Sequence, residues 1–426
     1  MVKKLFDKLL AKGEENPVWV VFLLYVALMV FLVIFIKFFL KYDSAFFLTD
    51  DGYYVYAKLF WKGDFSLLHA GRGPGIPLLF SGFSFFPESC HAYFRLTVTI
   101  SFVLFNIYLT KEIFRKYLNG RELFIGLLIS VFNPLHIHFT IKSTPEVYIL
   151  TFLLLIILFY RKLSENPKWV LVLFLILITS VSFFFKPVLF FVPFMLLIHS
   201  FIFKSKNLRL KTLILSLLTF LSFLWSLDLT AAKKGTYGGV SYGGLNFIGP
   251  TFIPRAMLNT GRFSLDAKEK DFLNNSKNSV AVMTVKYHEE WMNSYLKNNP
   301  EAEEKEVIID FIKDNFGEFV VSKVLNILFF TSLASNIPET FINLFLNGFL
   351  VVMSITVMKK KYKEKDEGIF LIISGLSGYV LMYLLTFGYA RYSIPFIFII
   401  SVYSGVTVSK ILSKHTWESF KLKKIP

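Results

Sequence analysis

Ten long apolar runs constrain the fold of this chain more than any other feature of its sequence. A membrane-crossing helix needs about 20 mostly apolar residues, and here basic clusters, proline or glycine separate the runs. They lie at about 18–39, 92–110, 122–140, 146–160, 168–185, 188–203, 212–228, 340–358, 368–387 and 391–411. The chain is 54% hydrophobic and only 18% charged, with a mean hydropathy of +0.56, which excludes soluble enzyme folds. The sequence therefore predicts an all-α polytopic membrane protein with about ten transmembrane helices.

The placement of lysine and arginine predicts how these helices are oriented, because basic residues accumulate on the cytoplasmic side of a membrane. With ten crossings, one side collects the basic clusters at 3–12, 111–121, 161–168, 204–211, 359–365 and 410–424. Both termini are then cytoplasmic, and the net charge of +16 reflects topology rather than a nucleic-acid partner. A further apolar run at 319–335 would move the last two clusters outside if it crossed. It is therefore predicted to be an interfacial or re-entrant helix on the outer surface.

This topology divides the chain into three parts. Residues 1–228 form a transmembrane module whose first outer loop is 42–91, residues 229–339 form an outer-face segment, and residues 340–426 form the last helices and a basic tail. The outer-face segment begins with a Gly/Tyr-rich stretch at 235–244, which suits either a mobile lid or a flexible linker. Polar helical patterns follow near 266–276, 282–297 and 301–316. The single cysteine, Cys90, cannot form an internal disulfide or a cysteine-based zinc site.

The first outer loop contains two candidate groups. Asp50 and Asp51 are adjacent acids just beyond the end of a span, where a carboxylate can act as a base or a metal ligand. A solvated turn or a helix cap is the simpler interpretation of the dipeptide alone. Arg72 lies in the run Gly-Arg-Gly-Pro-Gly-Ile-Pro at 71–77, where the backbone can approach a ligand and the guanidinium can bind a phosphate bidentately.

Three further features converge on the predicted outer side. Glu146 begins the fourth span, where capping is the simpler role, and Lys186 follows the fifth span, where snorkelling is the simpler role. Arg391 and Tyr392 begin the last span. An interfacial aromatic anchor explains the tyrosine but not the arginine, since the positive-inside rule disfavours a basic residue on this short outer turn. Arg391 is therefore a functional candidate.

A divalent metal ion is a weaker alternative. Asp50, Asp51 and Glu146 could together hold a hard cation, and His136 and His138 lie near the same edge. On a helix, however, a His-x-His pair points its side chains apart by about 200°. His136 or His138 is therefore expected to pack or hydrogen-bond within the bundle, and no cofactor is expected to be required.

The order of these motifs resembles the membrane glycosyltransferases of the GT-C superfamily, in particular the protein O-mannosyltransferase and aminoarabinose transferase branch. The resemblance rests on Asp50-Asp51 followed by Tyr54, the Gly-Arg-Gly-Pro run at 71–74, and Ser-Thr-Pro-Glu at 143–146. It extends to Lys-Pro at 186–187, Asp-Phe-Ile-Lys-Asp-Asn-Phe-Gly-Glu-Phe at 310–319 and Arg-Tyr at 391–392. The chain departs from the branch in having Asp-Asp instead of Asp-Glu and in showing no large C-terminal soluble domain, so the substrate does not carry over.

The resemblance implies an inverting transfer of a sugar from a polyprenyl-phosphate donor to a hydroxyl on the outer face of the membrane. It implies Asp50 as the base, assisted by Asp51, with Arg391, Lys186 and Arg72 binding the donor phosphate. Tyr54, Glu146 and Tyr392 are the implied substrate contacts. The implied partners are the lipid-linked donor, an acceptor that is a lipid, glycan or protein, and the membrane lipids of a prokaryotic cell.

Two other classes remain open from the sequence. A lipid or glycolipid transporter should show internal repeats or broken helices with ionisable groups near mid-membrane, and the sequence indicates neither. A non-catalytic scaffold subunit would explain the hydrophobicity, but it leaves the charged residues of the outer side without a role.

Overall fold

The computed structural model describes residues 2–41, 53–63, 74–83, 85–203, 206–230, 247–261, 279–332, 337–364, 366–385 and 390–422. For some of these residues, including Tyr54 and Arg391, only the backbone is described. Within these ranges the regular structure is helical, and no strand occurs.

The helices fall into three groups along the chain. The first group is α1 (Val2–Glu15), α2 (Pro17–Ile34, continued by a π-helical turn at Phe35–Phe39), α3 (Tyr53–Trp61), α4 (Gly75–Ser81), α5 (Glu88–Phe114), α6 (Gly120–Val131), α7 (Pro134–Ile141), α8 (Pro145–Glu165), α9 (Trp169–Phe185), α10 (Val192–Phe203) and α11 (Lys206–Thr230). The second group is α12 (Ile253–Thr260), α13 (Val280–Asn298), α14 (Glu304–Asp314) and α15 (Phe316–Phe329). The third group is α16 (Ile337–Lys363), α17 (Glu367–Leu385) and α18 (Ile394–Leu422).

The helices confirm an all-α polytopic membrane protein. Six helices in the described part are long and apolar enough to cross a bilayer, and the pair α6 and α7 makes a seventh if it counts as one span. The other three predicted runs correspond to the shorter apolar helices Trp169–Phe185, Pro187–Ile202 and Glu367–Tyr383. Each of the ten predicted runs is therefore helical, whereas the number that crosses the membrane stays a prediction.

The third predicted span is broken, which corrects the expectation that the chain has no broken helices. Helices α6 and α7 meet at an angle of 53° across Phe132 and Asn133. Pro134 lacks an N–H and clashes with the preceding turn, so α6 cannot continue through it. The Asn133 side chain accepts a hydrogen bond from the backbone N–H of Leu135 at 2.9 Å and thereby caps α7. The apolar run gave no warning because proline is tolerated within membrane helices.

Small residues allow α6 and α18 to pack closely. A side chain at Gly126 would collide with the Val402 carbonyl oxygen, and one at Gly405 would collide with the Glu122 carbonyl oxygen. Van der Waals contact between backbones is the main attraction between helices in lipid, and it requires small residues at the crossing point. This contact fixes the start of α6 beside the middle of α18.

The predicted basic side forms one end of the bundle, which we call the basic end. Five ion pairs and hydrogen bonds link its loops: Arg121 with Glu14, Lys116 with Glu165, Ser164 with Glu367, and Lys361 with both Asp366 and the Tyr117 carbonyl oxygen. Arg161 is buried there and donates to the carbonyl oxygens of Glu112 and Ile113 at 2.9 and 2.8 Å. It thereby satisfies the free carbonyls at the end of α5.

Residues 247–261 and 279–332 form a small helical unit between α11 and α16, which we call the connecting unit. Ile248, Phe252 and Phe311 are buried at its centre. Helices α13 and α14 confirm the patterns predicted near 282–297 and 301–316, whereas the pattern near 266–276 and the Gly/Tyr-rich stretch lie outside the described residues. Helix α15, the predicted interfacial segment, has 14 residues and is not among the helices long enough to cross.

Candidate functional site

Glu146, Lys186 and Tyr392 come together at the end of the bundle opposite the basic end. Glu146 is the second residue of α8, Lys186 directly follows α9, and Tyr392 lies in the 3-10 helix Ala390–Ser393 that precedes α18. The Lys186 Nζ lies 2.9 Å from Oε1 of Glu146 and 3.9 Å from the ring centre of Tyr392. Three of the residues chosen from the sequence, each from a different part of the chain, thus form one cluster.

Local backbone geometry places both charged side chains. Ser143 adopts a positive φ of 51°, Thr144 is extended, and Pro145 begins α8, so that Glu146 lies in the first helical turn. Lys186 is extended with φ −168° and ψ 127°, as expected for a residue that precedes a proline. Helix α9 therefore ends at Phe185, and the Lys186 side chain turns toward α8.

Tyrosines of α17 complete the cluster. The rings of Tyr383 and Tyr392 are stacked at 4.9 Å and 13°, and Lys186 Nζ lies 5.5 Å from the centre of the Tyr383 ring. The Tyr379 hydroxyl donates to the Tyr392 carbonyl oxygen at 2.6 Å and so holds the 3-10 helix against α17. A carboxylate and two aromatic faces therefore surround the ammonium group, and each of them stabilises the cation.

The pair is largely withdrawn from solvent. The Glu146 side chain is 0% exposed and that of Lys186 is 21% exposed, and the Lys186 ammonium group turns to the Glu146 carboxylate rather than to the surface. Within the described residues, Oε2 of Glu146 has no hydrogen-bond partner. The cluster thus offers one fixed cation and one buried carboxylate oxygen that can still accept a hydrogen bond or a ligand.

Arg95 supports the cluster and was not selected from the sequence. It is 1% exposed, and its Nη2 donates to the carbonyl oxygens of Lys142 and Ser143 at 2.9 and 3.2 Å. These carbonyls belong to the turn that leads into Glu146, so Arg95 fixes the start of α8. The available signal was an arginine inside a predicted span, where charged residues are rare and commonly functional.

The first outer loop is described in part. Helix α4 packs against Phe185, the residue before Lys186, and Gly75 leaves no space there for a side chain. Arg72 precedes α4, and Asp50 and Asp51 precede α3; all three lie outside the described residues. Tyr54 lies in α3 and Arg391 in the 3-10 helix before α18, and neither side chain is described. The roles assigned to these five residues stay predictions.

The described residues contain no group of three or more His, Cys, Asp or Glu side chains that could hold a metal. His136 is buried against Tyr25 and Phe398, whereas His138 contacts the ring edge of Phe139. His136 therefore packs within the bundle as expected, whereas His138 points away from it and is exposed. Of the set Asp50, Asp51 and Glu146, only Glu146 lies within the described residues. Its Oε1 atom pairs with Lys186, and its Oε2 atom is available to a cation.

Searches against protein-family models, curated proteins and solved structures found no match to this chain. The resemblance to the GT-C superfamily therefore stands on the motifs quoted above.

Proposed function

We propose that this protein is a membrane glycosyltransferase that moves a sugar from a polyprenyl-phosphate donor to a hydroxyl acceptor on the outer face of the membrane. The observation that supports this most strongly is the cluster of Glu146, Lys186 and Tyr392 at the end opposite the basic end. A scaffold subunit would not require a partly buried cation against Tyr392, the residue that follows Arg391. The GT-C resemblance supplies the reaction type.

In the proposed reaction the acceptor oxygen forms a bond to the anomeric carbon as the bond from that carbon to the phosphate oxygen breaks. The hydroxyl proton passes to the Asp50 carboxylate, which contributes about 10² to 10⁴ in rate. The polyprenyl phosphate leaves with the bonding electrons. Direct displacement inverts the anomeric centre. Asp51 assists Asp50, and Tyr54 contacts the substrate.

The cations of the site have different tasks. Lys186 is already neutralised by Glu146, so the pair adds little net charge. Arg391 and Arg72 therefore supply the net positive charge that the leaving phosphate requires. Lys186 contributes a positioned ammonium group, held by its contacts with Glu146 and the Tyr392 ring. Tyr392 contacts the substrate from the same 3-10 helix as Arg391.

The decisive experiment follows the leaving group. Purified protein is incubated with synthetic polyprenyl-phosphate hexose and pentose donors and a membrane extract as acceptor, and release of polyprenyl phosphate is measured. Wild type should release it, Asp50→Asn should abolish release, and Asp64→Asn, an acid in the same outer loop, should match wild type. If Asp50→Asn released as much polyprenyl phosphate as wild type, Asp50 would not be the catalytic base. A chelator should leave turnover unchanged, because the proposed mechanism needs no metal.

The proposed topology has ten spans, both termini in the cytoplasm, and α15 on the outer surface, with parts 1–228, 229–339 and 340–426. Single cysteines introduced at Lys363 and at Lys305, in a Cys90→Ser background, test it in whole cells. An impermeant maleimide should label Lys305→Cys and leave Lys363→Cys unlabelled. Labelling of Lys363→Cys from outside would overturn the topology and move Arg391 to the other face.

A second candidate is a lipid or glycolipid transporter, which the break between α6 and α7 favours. The break lies beside Phe132 and His136, and both pack against Tyr25 near the middle of α2. Broken helices are typical of transporter binding sites. Proteoliposomes distinguish the two functions, because a transporter moves an intact polyprenyl-phosphate sugar across the bilayer without releasing polyprenyl phosphate.

A further inference from the structure

A cleft of about 430 Å³ opens at the basic end between α6, α16 and α18. Its floor includes the buried side chains of Val357 and Val406. Its rim is polar and includes Thr356, Lys360 and Lys410. The cleft lies at the basic end, opposite Glu146 and Lys186, and has no part in the proposed transfer reaction.

The lysines of the cleft differ in how they are held. Lys361 is fixed by Asp366 at 3.1 Å and by the Tyr117 carbonyl oxygen at 3.2 Å. The Lys360 side chain is 69% exposed and reaches Glu364 only at 3.8 Å. Lys410 is exposed and makes no ion pair with any residue that the structure describes. Lys360 and Lys410 are therefore the cations that can receive an anionic ligand.

The acids of the cleft compensate these charges only in part. Glu122 accepts a hydrogen bond from the Asn119 backbone N–H at 3.2 Å as part of the cap of α6. The backbone N–H groups at the start of α6 thus stabilise the negative charge of Glu122. Glu364 is the remaining acid of the lining. Because Asp366 balances Lys361 and Glu122 caps α6, Lys360 and Lys410 face Glu364 alone, and this side of the cleft is positive.

An exposed apolar stripe on α16 leads directly into the cleft. Phe345, Phe349 and Val352 are 76%, 60% and 64% exposed, and they border a groove of about 490 Å³ that includes Gly348. Because a helix turns about 100° per residue, these three positions share one face with Thr356 and Lys360. The stripe from 345 to 360 is about 22 Å long, which is close to the length of an extended acyl chain with its headgroup.

We propose that this cleft binds one anionic phospholipid in the leaflet at the basic end. Lys360 and Lys410 contact the phosphate group, Thr356 offers a hydroxyl donor, and one acyl chain lies along Val352, Phe349 and Phe345. Basic pockets between membrane helices on the cytoplasmic side commonly bind such headgroups. The chemistry recognised is a phosphate ester, which a free phosphate ion shares, but only a lipid also uses the apolar stripe.

The test is equilibrium binding of radiolabelled dioleoyl-phosphatidylglycerol to the purified full chain in a neutral detergent. Wild type should bind saturably. Each lysine that contacts the phosphate contributes about 5-fold in affinity. The double variant Lys360→Gln with Lys410→Gln should therefore bind about 30-fold more weakly than wild type. Lys363→Gln is the matched control, since it removes the same charge from the same helix end outside the cleft. It should bind as wild type does.

Three outcomes would overturn the proposal. Equal weakening by Lys363→Gln would show a diffuse basic surface rather than a site. Competition by inorganic phosphate at the same concentration as the lipid would show a free-anion site. Undiminished binding by Phe349→Ser, a change on the lipid-facing surface that leaves the lysines in place, would show that the acyl chain lies elsewhere. A thermal unfolding profile like that of wild type verifies that each variant is folded.

Discussion

The two ends of the bundle use charge in opposite ways. At the basic end, Lys116 and Glu165 are 48% and 47% exposed, and ion pairs of this kind connect several loops. At the opposite end, Lys186 and Glu146 are 21% and 0% exposed and face aromatic rings instead of water. Solvent screens the attraction between Lys116 and Glu165. Solvent screens the attraction between Lys186 and Glu146 much less, because Glu146 is buried. Exposed charges at the basic end, such as Lys116, should therefore be replaceable, whereas Glu146 at the opposite end should not.

The largest effect is expected for Glu146→Gln, which removes the fully buried carboxylate that faces the partly buried Lys186 ammonium group. Loss of one partner of a buried pair lowers the free energy of unfolding by about 3 to 5 kcal/mol. Thermal or denaturant unfolding in detergent measures this. The double variant Glu146→Gln with Lys186→Gln should recover part of the loss, because no uncompensated charge remains. A single variant within about 1 kcal/mol of wild type would refute the contrast between the ends.

A smaller effect is expected for Arg391→Ala, which is read out as affinity for the polyprenyl-phosphate donor. Hydrogen bonds to a charged group contribute about 1.5 to 3 kcal/mol, so donor affinity should fall about 10- to 100-fold. Arg391→Lys should also bind the donor less tightly, because a lysine cannot replace a bidentate guanidinium. Arg115→Ala at the basic end is the control and should leave affinity unchanged. Unchanged affinity with lowered thermal stability in Arg391→Ala would identify Arg391 as a structural anchor.

His288 in the connecting unit provides a pH-dependent test of burial. Its Nε2–H donates to the Gly249 carbonyl oxygen at 3.0 Å, and its ring stacks on Phe311. Burial lowers the pKa of His288 below its ordinary value of 6.5. The neutral ring is favoured in the folded state, so this stability is present above pH 6.5 and is lost as the pH falls.

His288→Gln keeps a hydrogen-bond donor but does not titrate, so its unfolding should depend less on pH than that of wild type. A single proton changes the free energy of unfolding by at most about 1.4 kcal/mol per pH unit. Unfolding temperatures of both proteins between pH 7 and 5 measure the difference. Parallel curves would show that His288 is accessible to water in the folded protein.

The smallest effect is expected for Lys116→Gln, which breaks the ion pair with Glu165 at the basic end. An exposed pair contributes under about 1 kcal/mol, and salt screens it further. Unfolding measured at low and at high salt should differ little between this variant and wild type. A loss comparable with that of Glu146→Gln would show that the basic end is held as rigidly as the opposite end.

The sequence was sufficient to predict which residues share an end of the bundle. It was not sufficient to predict which of those residues are in contact. Alternating spans and the positive-inside rule placed Glu146, Lys186 and Tyr392 on one side. Their contact depends on how far each helix is rotated about its axis, and packing against neighbours decides that rotation. Arg95 was missed for a related reason: an apolar window hides a single charge that donates to the backbone carbonyls of another helix start.

The break before Pro134 illustrates a different limit. The Asn-Pro dipeptide is a turn signal in a soluble protein, but the surrounding residues are apolar enough to be interpreted as one uninterrupted helix. Hydropathy measures how favourably a segment enters lipid, but it does not show whether the helix axis bends within that segment. Short helices raise the same difficulty, since α9, α10 and α17 are apolar but fall below the usual length of a span.

The pairing of Glu146 with Lys186 also constrains how the chain enters the membrane during synthesis. Helices α8 and α9 are joined by only three residues, 166–168, at the basic end. Both charged residues lie at the distal tips of this helical hairpin, so in the proposed topology both must traverse the hydrocarbon core. A lone charge at the centre of a bilayer costs about 2.5 to 3.5 kcal/mol. Joint insertion of α8 and α9 would let the two charges cross as a neutral unit, which makes the hairpin, rather than the single helix, the unit of biogenesis.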